Sequence, residues 1–216
     1  MPKPSSHTEP TSAPYHHGDL RRALIETALA MVTEEGAWNF TLREVARRAG
    51  VSHAAPYNHF ADKSELLAEV GVLGFEALRR EMEKGADPQH HSPREALTGV
   101  GTAYIRFGVE NPAHYRLMFG PELAERGRHP AFDQAADAAF DMLTRALERG
   151  QLAGEVRRES VPEQALTAWS LVHGLTTLLI DRRLTFLGVS PTEAEQHARL
   201  GCAVLLDGLG TTKGNQ

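Results

Sequence analysis

Residues 50–65, which read GVSHAAPYNHFADKSE, hold the densest group of side chains in this chain that can do chemistry. A serine, two histidines, a tyrosine and acidic residues can form a nucleophile with its base, a metal site, or a surface that holds phosphates. His53 and His59 are six residues apart, and on a helix that spacing places them on largely opposite sides, which disfavours a shared metal ion. The chain has no Gly-x-Ser-x-Gly motif, so the pattern does not favour a hydrolase. A phosphate-holding surface remains the preferred interpretation.

The composition indicates a reduced, soluble and cytoplasmic protein. The chain has 216 residues, 41% of them apolar, and Cys202 is its single cysteine, which excludes an internal disulfide or a Cys-based zinc cluster. No apolar run is long enough to span a membrane, and the N-terminus lacks the apolar stretch of an export signal. The net charge is −5, but residues 1–64 hold equal numbers of acidic and basic side chains. We therefore expect any contact with a polyanion to involve this first part.

Recurring helix-start signals predict an all-α protein. Capping-box patterns, in which a small polar residue is followed three positions later by glutamate, begin at Thr41, Asp62, Ser92, Ser160 and Ser190. Apolar residues recur with helical spacing after each of them. We expect about nine helices, at 19–35, 42–49, 53–60, 62–84, 93–109, 112–119, 131–149, 161–184 and 191–208.

The second and third predicted helices have the form of a helix-turn-helix. They are joined by AGVS, in which Gly50 suits a left-handed turn just past the helix end and Ser52 can cap the next helix. Small Ala46 lets the two helices cross closely. In such a unit the second helix enters the major groove of DNA.

At these residues the chain resembles the TetR/AcrR family of transcriptional regulators. The matching motifs are TLREVARRAGVS, the Tyr-x-His-Phe pattern at 57–60, and DKSELL at 62–67. Residues 111–119 (NPAHYRLMF) and 169–175 (WSLVHGL) also look like a regulatory-domain subgroup of that family marked by Trp, His and Gly. Residues 1–14 are rich in proline, serine and threonine and predict a flexible tail. The resemblance and the helix pattern imply a helix-turn-helix DNA-binding domain at 15–62 and a helical ligand-sensing and dimerisation domain at 63–210.

The candidate DNA contacts divide into phosphate holders and base readers. Hydroxyls and N–H groups at helix starts hold phosphates, and the resemblance implies backbone contacts from the end of the recognition helix. Exposed residues of that helix read bases, and asparagine suits adenine. As an alternative, Tyr57 packs against the module, Asn58 points into solvent, and His59 does either. The predicted set is Thr41, Arg43, Ser52, His53, Ala54, Pro56, Tyr57, Asn58, His59 and Lys63.

Pro56 departs from the family pattern, which usually has a larger apolar residue at that position. With Ser52 as the cap, Pro56 is the fourth helical residue, so its missing N–H removes only the first intrahelical bond. Proline also disfavours helical geometry at the preceding Ala55. We therefore expect a tight, distorted first turn whose exposed proline ring can meet a thymine methyl group.

His173 lies four residues after Trp169 on an otherwise apolar helix, so the two side chains share a face. One interpretation is a core histidine bonded to a carbonyl or a hydroxyl; the other is a polar group in a ligand pocket. The other aromatic and methionine residues of this part line the same pocket under the second interpretation. The candidate pocket residues are Tyr104, Phe107, Tyr115, Met118, Phe119, Phe140, Trp169 and His173.

The last two helices carry small residues between leucines and valines, which predicts pairing with a two-fold copy as a four-helix bundle. The candidate interface residues are Leu178, Ala198, Gly201, Cys202, Leu205 and Leu209. We expect a homodimeric DNA-binding regulator without a cofactor, released from a palindromic operator by an unidentified small molecule. A ligand-insensitive or activating DNA-binding protein on the same fold is the alternative, and a helical enzyme or metal-binding protein is more remote.

Overall fold

The computed structural model describes residues 17–87, 89 and 91–209, and this part of the chain is built from eight α-helices without a β-strand. The expected tail at 1–14 lies outside the described residues. The all-α prediction is confirmed, and helix bounds agree with the expected ones within a few residues except in two places. The helices are α1 (His17–Glu35), α2 (Leu42–Arg48), α3 (Lys63–Ala86), α4 (Pro93–Glu110), α5 (Pro112–Met118), α6 (Pro130–Leu152), α7 (Val161–Ile180) and α8 (Ala194–Leu209).

Most of the predicted helix starts have the expected capping geometry. Complete capping boxes form at Thr41 and Ser92, and at Ser190 the backbone N–H donates to the Glu193 carboxylate at 3.2 Å. The Asp62 side chain accepts from the N–H of the residue three positions later. The expectation for Ser160 is wrong, because its side chain makes no capping hydrogen bond. Four of the five local signals are therefore sufficient to fix the first turn that follows them.

The predicted recognition helix at 53–60 is not an α-helix. The chain forms a 3₁₀ turn over Ala55–Asn58, and Ser52 does not cap it with its side chain. The N–H of Tyr57 bonds to the carbonyl of Ala54 at 3.2 Å, a 3₁₀ pattern. The expected tight, distorted turn at Pro56 is confirmed.

α7 ends at Ile180, four residues before its predicted end. Arg182 adopts a φ of 53°, a left-handed value that a continuing helix cannot contain. A 3₁₀ turn at Pro191–Glu193 then precedes α8. α7 therefore ends earlier than predicted because Arg182 adopts a left-handed backbone conformation.

α3 joins the N-terminal helices to the rest of the molecule. Its buried side chains and those of α1, α4 and α6 belong to one continuous apolar core. α3 and α4 come into backbone contact where Gly85 faces Gly99, since a Cβ on Gly99 would lie 2.0 Å from the Gly85 carbonyl oxygen. The helices that enclose the C-terminal half are thereby anchored directly on α3.

Candidate functional site

The turn of the N-terminal module lies over buried side chains of the same module. Ala46 is fully buried on α2, and Gly50 has a φ of 71°, the left-handed value that favours glycine. Phe60 is 1% exposed and lies under the guanidinium of Arg21, 5.3 Å from the ring centroid. The buried Phe60 ring therefore packs the end of the helix-turn-helix against α1.

Most of the predicted DNA-contacting side chains are exposed, and together they are called the exposed edge of this module. Tyr57 is 53% exposed, while His59 and Lys63 are partly exposed. The Nζ atom of Lys63 lies 5.4 Å from the centroid of the Phe40 ring, which keeps the ammonium group at the first turn of α3. Cation and helix N-terminus together make this a suitable place for a phosphate. The exposed members are Thr41, Arg43, Ser52, His53, Ala54, Tyr57 and Asn58.

Thr41 already has partners inside the module. Its hydroxyl lies 2.9 Å from the Glu44 carboxylate and 3.3 Å from the Glu44 N–H, and its own N–H donates to the same carboxylate at 2.6 Å. These bonds from Thr41 lower the pKa of Glu44. A phosphate at Thr41 would therefore have to compete with a carboxylate for the same donors.

Pro56 is buried rather than exposed, which corrects its predicted place among the base-reading side chains. Its carbonyl accepts from the N–H groups of His59 and Phe60, both at 2.9 Å, so the backbone turns tightly at this residue. A buried ring cannot meet a thymine methyl group. Its neighbours Tyr57 and Asn58 remain on the outer side.

The C-terminal helices enclose an apolar cavity of about 470 Å³, within the range of small-molecule sites. Its wall comes from α3, α4, the end of α5, α6, α7 and α8 and from the chain between α5 and α6. Five of the predicted pocket residues line it: Tyr104, Met118, Phe119, Phe140 and Trp169.

The other three predicted pocket residues lie behind this wall. Phe107 and Tyr115 are 4% and 3% exposed, and neither they nor His173 line the cavity. The Nδ1 atom of His173 lies 2.9 Å from the Tyr104 hydroxyl and 2.7 Å from the Tyr115 hydroxyl. Burial lowers the pKa of His173 and raises that of Tyr115 to about 12, so these groups are uncharged near neutral pH. The interpretation of His173 as a core residue bonded to hydroxyls agrees with this geometry.

The sequence reasoning missed much of the cavity wall. Phe75, Leu78 and Met82 on α3, and Phe132 on α6, line it although none was singled out. Each occupies an ordinary apolar position in a helical stripe, so its sequence signal is the same as that of a core residue.

The predicted dimer face on α8 requires correction. Ala198 is fully buried, Cys202 is 4% exposed and Leu205 lines the cavity, so these residues face the inside of their own chain. Gly201 lies against Leu171 of α7. Leu178 is 42% exposed, as expected, and the side chain of Leu209 lies outside the described residues. The exposed apolar residues of α7 and α8 are Leu166, Leu178, Leu200 and Val204.

Comparison with known protein families matches both parts of the chain. Residues 24–70 match the family described as bacterial regulatory proteins, tetR family. Residues 97–205, about half of the chain, match the tetracyclin repressor-like C-terminal domain. The chain belongs to the TetR family. The matched C-terminal region contains Trp169, His173 and Gly174, and the narrower Trp-His-Gly subgroup stays a prediction.

Individual relatives agree with this membership. The chain is 28% identical over 169 residues to the HTH-type transcriptional regulator AqdR of Rhodococcus erythropolis. This match covers 74% of the chain and 75% of AqdR. The chain is 35% identical over 80 residues to the HTH-type transcriptional regulator BetI of Agrobacterium fabrum, a match spanning 37% of this chain and 38% of BetI. A solved structure of a protein of unknown function from Rhodococcus sp. RHA1 covers 93% of this chain and 100% of its own, with a TM-score of 0.80 at 29% identity.

Family membership makes the exposed turn part of a DNA-binding transcriptional regulator. In the described part of this TetR-family chain, none of the helices is long and apolar enough to cross a membrane.

Proposed function

We propose that this TetR-family protein is a homodimeric cytoplasmic repressor that leaves a palindromic operator when a small molecule occupies the cavity. In this proposal residues 15–62 bind DNA, and residues 63–210 sense the ligand and dimerise. The alternative is a regulator on the same fold that ignores ligands or activates transcription.

The observation that carries the proposal is the continuity of α3. This helix has 24 residues, which corresponds to a length of about 36 Å. Lys63 stands at its first turn beside the exposed DNA-facing edge, while Phe75, Leu78 and Met82 line the cavity farther along. A ligand that shifts the cavity part of a rigid helix also shifts its first turn. Ligand and DNA thus favour different positions of one element, which is the requirement for coupling.

We propose that Lys63 and Tyr57 hold phosphates and that Asn58 and His53 read bases. The proposed surface also includes Arg43, Ser52, Ala54, His59 and Thr41. At Thr41 a phosphate would compete with the Glu44 carboxylate for the same hydrogen-bond donors. Lys63 supports this assignment best, because it combines a positive charge with the N-terminal end of a long helix.

Salt dependence tests the DNA part of the proposal. Binding of the intact protein to a palindromic fragment from beside its own gene is measured by fluorescence anisotropy at increasing salt. Lys63→Ala is expected to weaken binding and to reduce the log–log salt slope by about one per protomer. Arg145→Ala is the control, since its exposed arginine is distant in sequence and sits on α6. Equal slopes for both variants would remove the phosphate assignment.

We propose that the dimer forms through the exposed apolar residues of α7 and α8 rather than through the buried small residues. Leu200 and Val204 are 61% and 63% exposed and lie one helical turn apart. Val204→Glu is expected to produce monomers in analytical ultracentrifugation. Leu152→Glu, which changes an exposed apolar residue on α6, is the control and is expected to remain dimeric. A Val204→Glu variant that sediments as a dimer would place the interface elsewhere.

A ligand screen separates the repressor from its alternative. Compounds that raise the melting temperature of the protein are added to the protein–DNA complex, and anisotropy reports release. Release supports an inducible repressor. Stabilisation of the protein with unchanged or tighter DNA binding supports the alternative.

A further inference from the structure

We propose that the cavity selects an uncharged, ring-containing molecule with a hydrogen-bond acceptor, such as a carbonyl oxygen, at one end. This inference rests on the proposed sensing function and deepens it by naming the chemical class of ligand. Three features of the wall support it: the placement of charge, the hydrogen-bond donors at one end, and the aromatic surfaces.

Charge on the cavity wall is confined to one edge. Arg126 donates to both carboxylate oxygens of Asp137, at 2.9 and 2.7 Å, and Asp133 accepts from the backbone N–H of Gly127 at 2.6 Å. Arg126 is the single lysine or arginine among the described lining residues, and Asp137 neutralises it. An anionic ligand would lose its hydration without gaining a counter-ion. A cationic ligand would have only Asp133 to pair with, at this same edge and already bonded to a backbone N–H, and no other unpaired carboxylate among the described lining residues.

A hydrogen-bonding group reaches the cavity from α4 and α7. The Trp169 Nε1 atom donates to the Tyr104 hydroxyl at 3.2 Å, and both residues line the cavity. The Tyr104 hydroxyl also lies 3.0 Å from that of Tyr115 and 2.9 Å from His173 Nδ1. These contacts bring two N–H or O–H donors together at the same place on an otherwise apolar wall.

Proton counting shows that Tyr104 can serve a ligand. A neutral imidazole nitrogen has either one lone pair or one proton. If His173 Nδ1 accepts, the nearer Tyr115 hydroxyl occupies its lone pair at 2.7 Å, and the Tyr104 proton is left to Tyr115 or to a ligand. If Nδ1 donates instead, the group has one proton more than its internal contacts use. In both tautomers Tyr104 can turn its O–H towards an acceptor in the cavity.

Aromatic side chains shape the space next to these donors. Phe140 meets Trp169 edge to face at a centroid distance of 6.0 Å, and Phe75 meets Phe119 in the same way at 5.4 Å. All four residues line the cavity. Aromatic faces and edges pack well against another ring, and a volume of about 470 Å³ suits a molecule of drug size.

Four probes of matched shape test the charge and the acceptor separately. Acetylnaphthalene, naphthoate, naphthylethylammonium and isopropylnaphthalene, substituted at the same ring position, are titrated into the full-length protein by calorimetry near neutral pH. Acetylnaphthalene is expected to bind at least about tenfold more tightly than each of the other three. Preference for naphthoate or naphthylethylammonium would overturn the uncharged class while leaving the sensing function intact. Binding of none of the four would count against both.

Two tyrosine variants test the acceptor contact. Tyr104→Phe is expected to bring acetylnaphthalene to within about twofold of isopropylnaphthalene, because the donor at the cavity wall is lost. Tyr115→Phe keeps the Tyr104 hydroxyl at the wall but leaves the His173 lone pair to it, so this variant is expected to retain part of the preference, more than Tyr104→Phe retains. Circular dichroism checks that both variants fold. If Tyr104→Phe does not fold, Trp169→Phe is measured instead. It removes the N–H that bonds to the Tyr104 hydroxyl and is expected to reduce the preference, and an unchanged preference would overturn the inference.

Discussion

The Nε2 atom of His129 lies 2.8 Å from the Oγ atom of Ser64, so the residue before α6 is hydrogen-bonded to the first turn of α3. Arg128 beside it reaches the carboxylate of Asp62, the N-cap of α3, at 3.4 Å. Two residues earlier, Arg126 stands at the edge of the cavity. One short segment therefore contacts both the cavity and the start of the helix that borders the proposed DNA-binding edge.

We predict that His129→Ala weakens the coupling between ligand and DNA. The substitution removes the link to Ser64 without touching the cavity wall, so ligand affinity is expected to remain and the ligand's effect on DNA affinity to fall by about 0.5–2 kcal/mol. DNA affinity is measured with and without a saturating compound from the thermal-shift screen. Arg145→Ala serves as the control. Full ligand-induced release by His129→Ala would show that this segment transmits nothing.

Neighbouring Pro56 and Tyr57 are expected to respond to substitution in opposite ways. Pro56 is buried, so Pro56→Ala is expected to lower the free energy of unfolding by about 1 kcal/mol through lost contacts and a freer unfolded chain. Tyr57 is 53% exposed, so Tyr57→Ala is expected to reduce DNA affinity while leaving stability nearly unchanged. Urea unfolding and DNA anisotropy are measured for both variants. A larger loss of DNA affinity in Pro56→Ala would contradict the burial of the proline ring.

His114 is expected to make stability depend on pH. It is 9% exposed, and its Nε2–H donates to the Val70 carbonyl at 2.6 Å. Burial lowers its pKa from 6.5, an effect that the Val70 bond partly opposes. The unfolded chain therefore binds a proton that the folded chain rejects, so stability is complete above about pH 6.5 and declines below it, by at most about 1.4 kcal/mol per pH unit.

The test for His114 compares the slopes of two proteins. His173 has a pKa lowered by burial and contributes with the same sign, so the parent protein alone does not isolate His114. Urea unfolding of the parent and of His114→Gln is measured between about pH 5 and 8. The variant is expected to lose less stability on acidification, and parallel curves would disprove the assignment.

Gly99→Ala is expected to destabilise the protein by about 1–3 kcal/mol or more, because the new methyl group would overlap the Gly85 backbone. Thr98→Ala on the same helix is the control and is expected to change stability by no more than about 0.5 kcal/mol. Thermal unfolding of both variants provides the measurement. Equal melting temperatures would mean that α3 and α4 can separate at little cost.

The sequence alone determined most of the helical segments, though not the 3₁₀ form of the turn at 55–58, and which family the turn resembles. Capping boxes at Thr41 and Ser92 act within a few residues of the chain, so their consequences can be read from local order. Gly50 and Pro56 likewise imposed a left-handed turn and a tight helical turn through their own backbone preferences.

Only the tertiary structure decided which side of each element faces what. Cys202 and Val204 look alike as apolar residues of one amphipathic helix, yet Cys202 is buried against α4 while Val204 is 63% exposed. Phe75 lines the cavity, whereas Phe107 on the next helix lies outside its wall. An apolar residue in the sequence predicts only that its side chain is buried away from water. Whether it meets its own core, a cavity or a second chain depends on the spacing and rotation of helices that are distant in sequence.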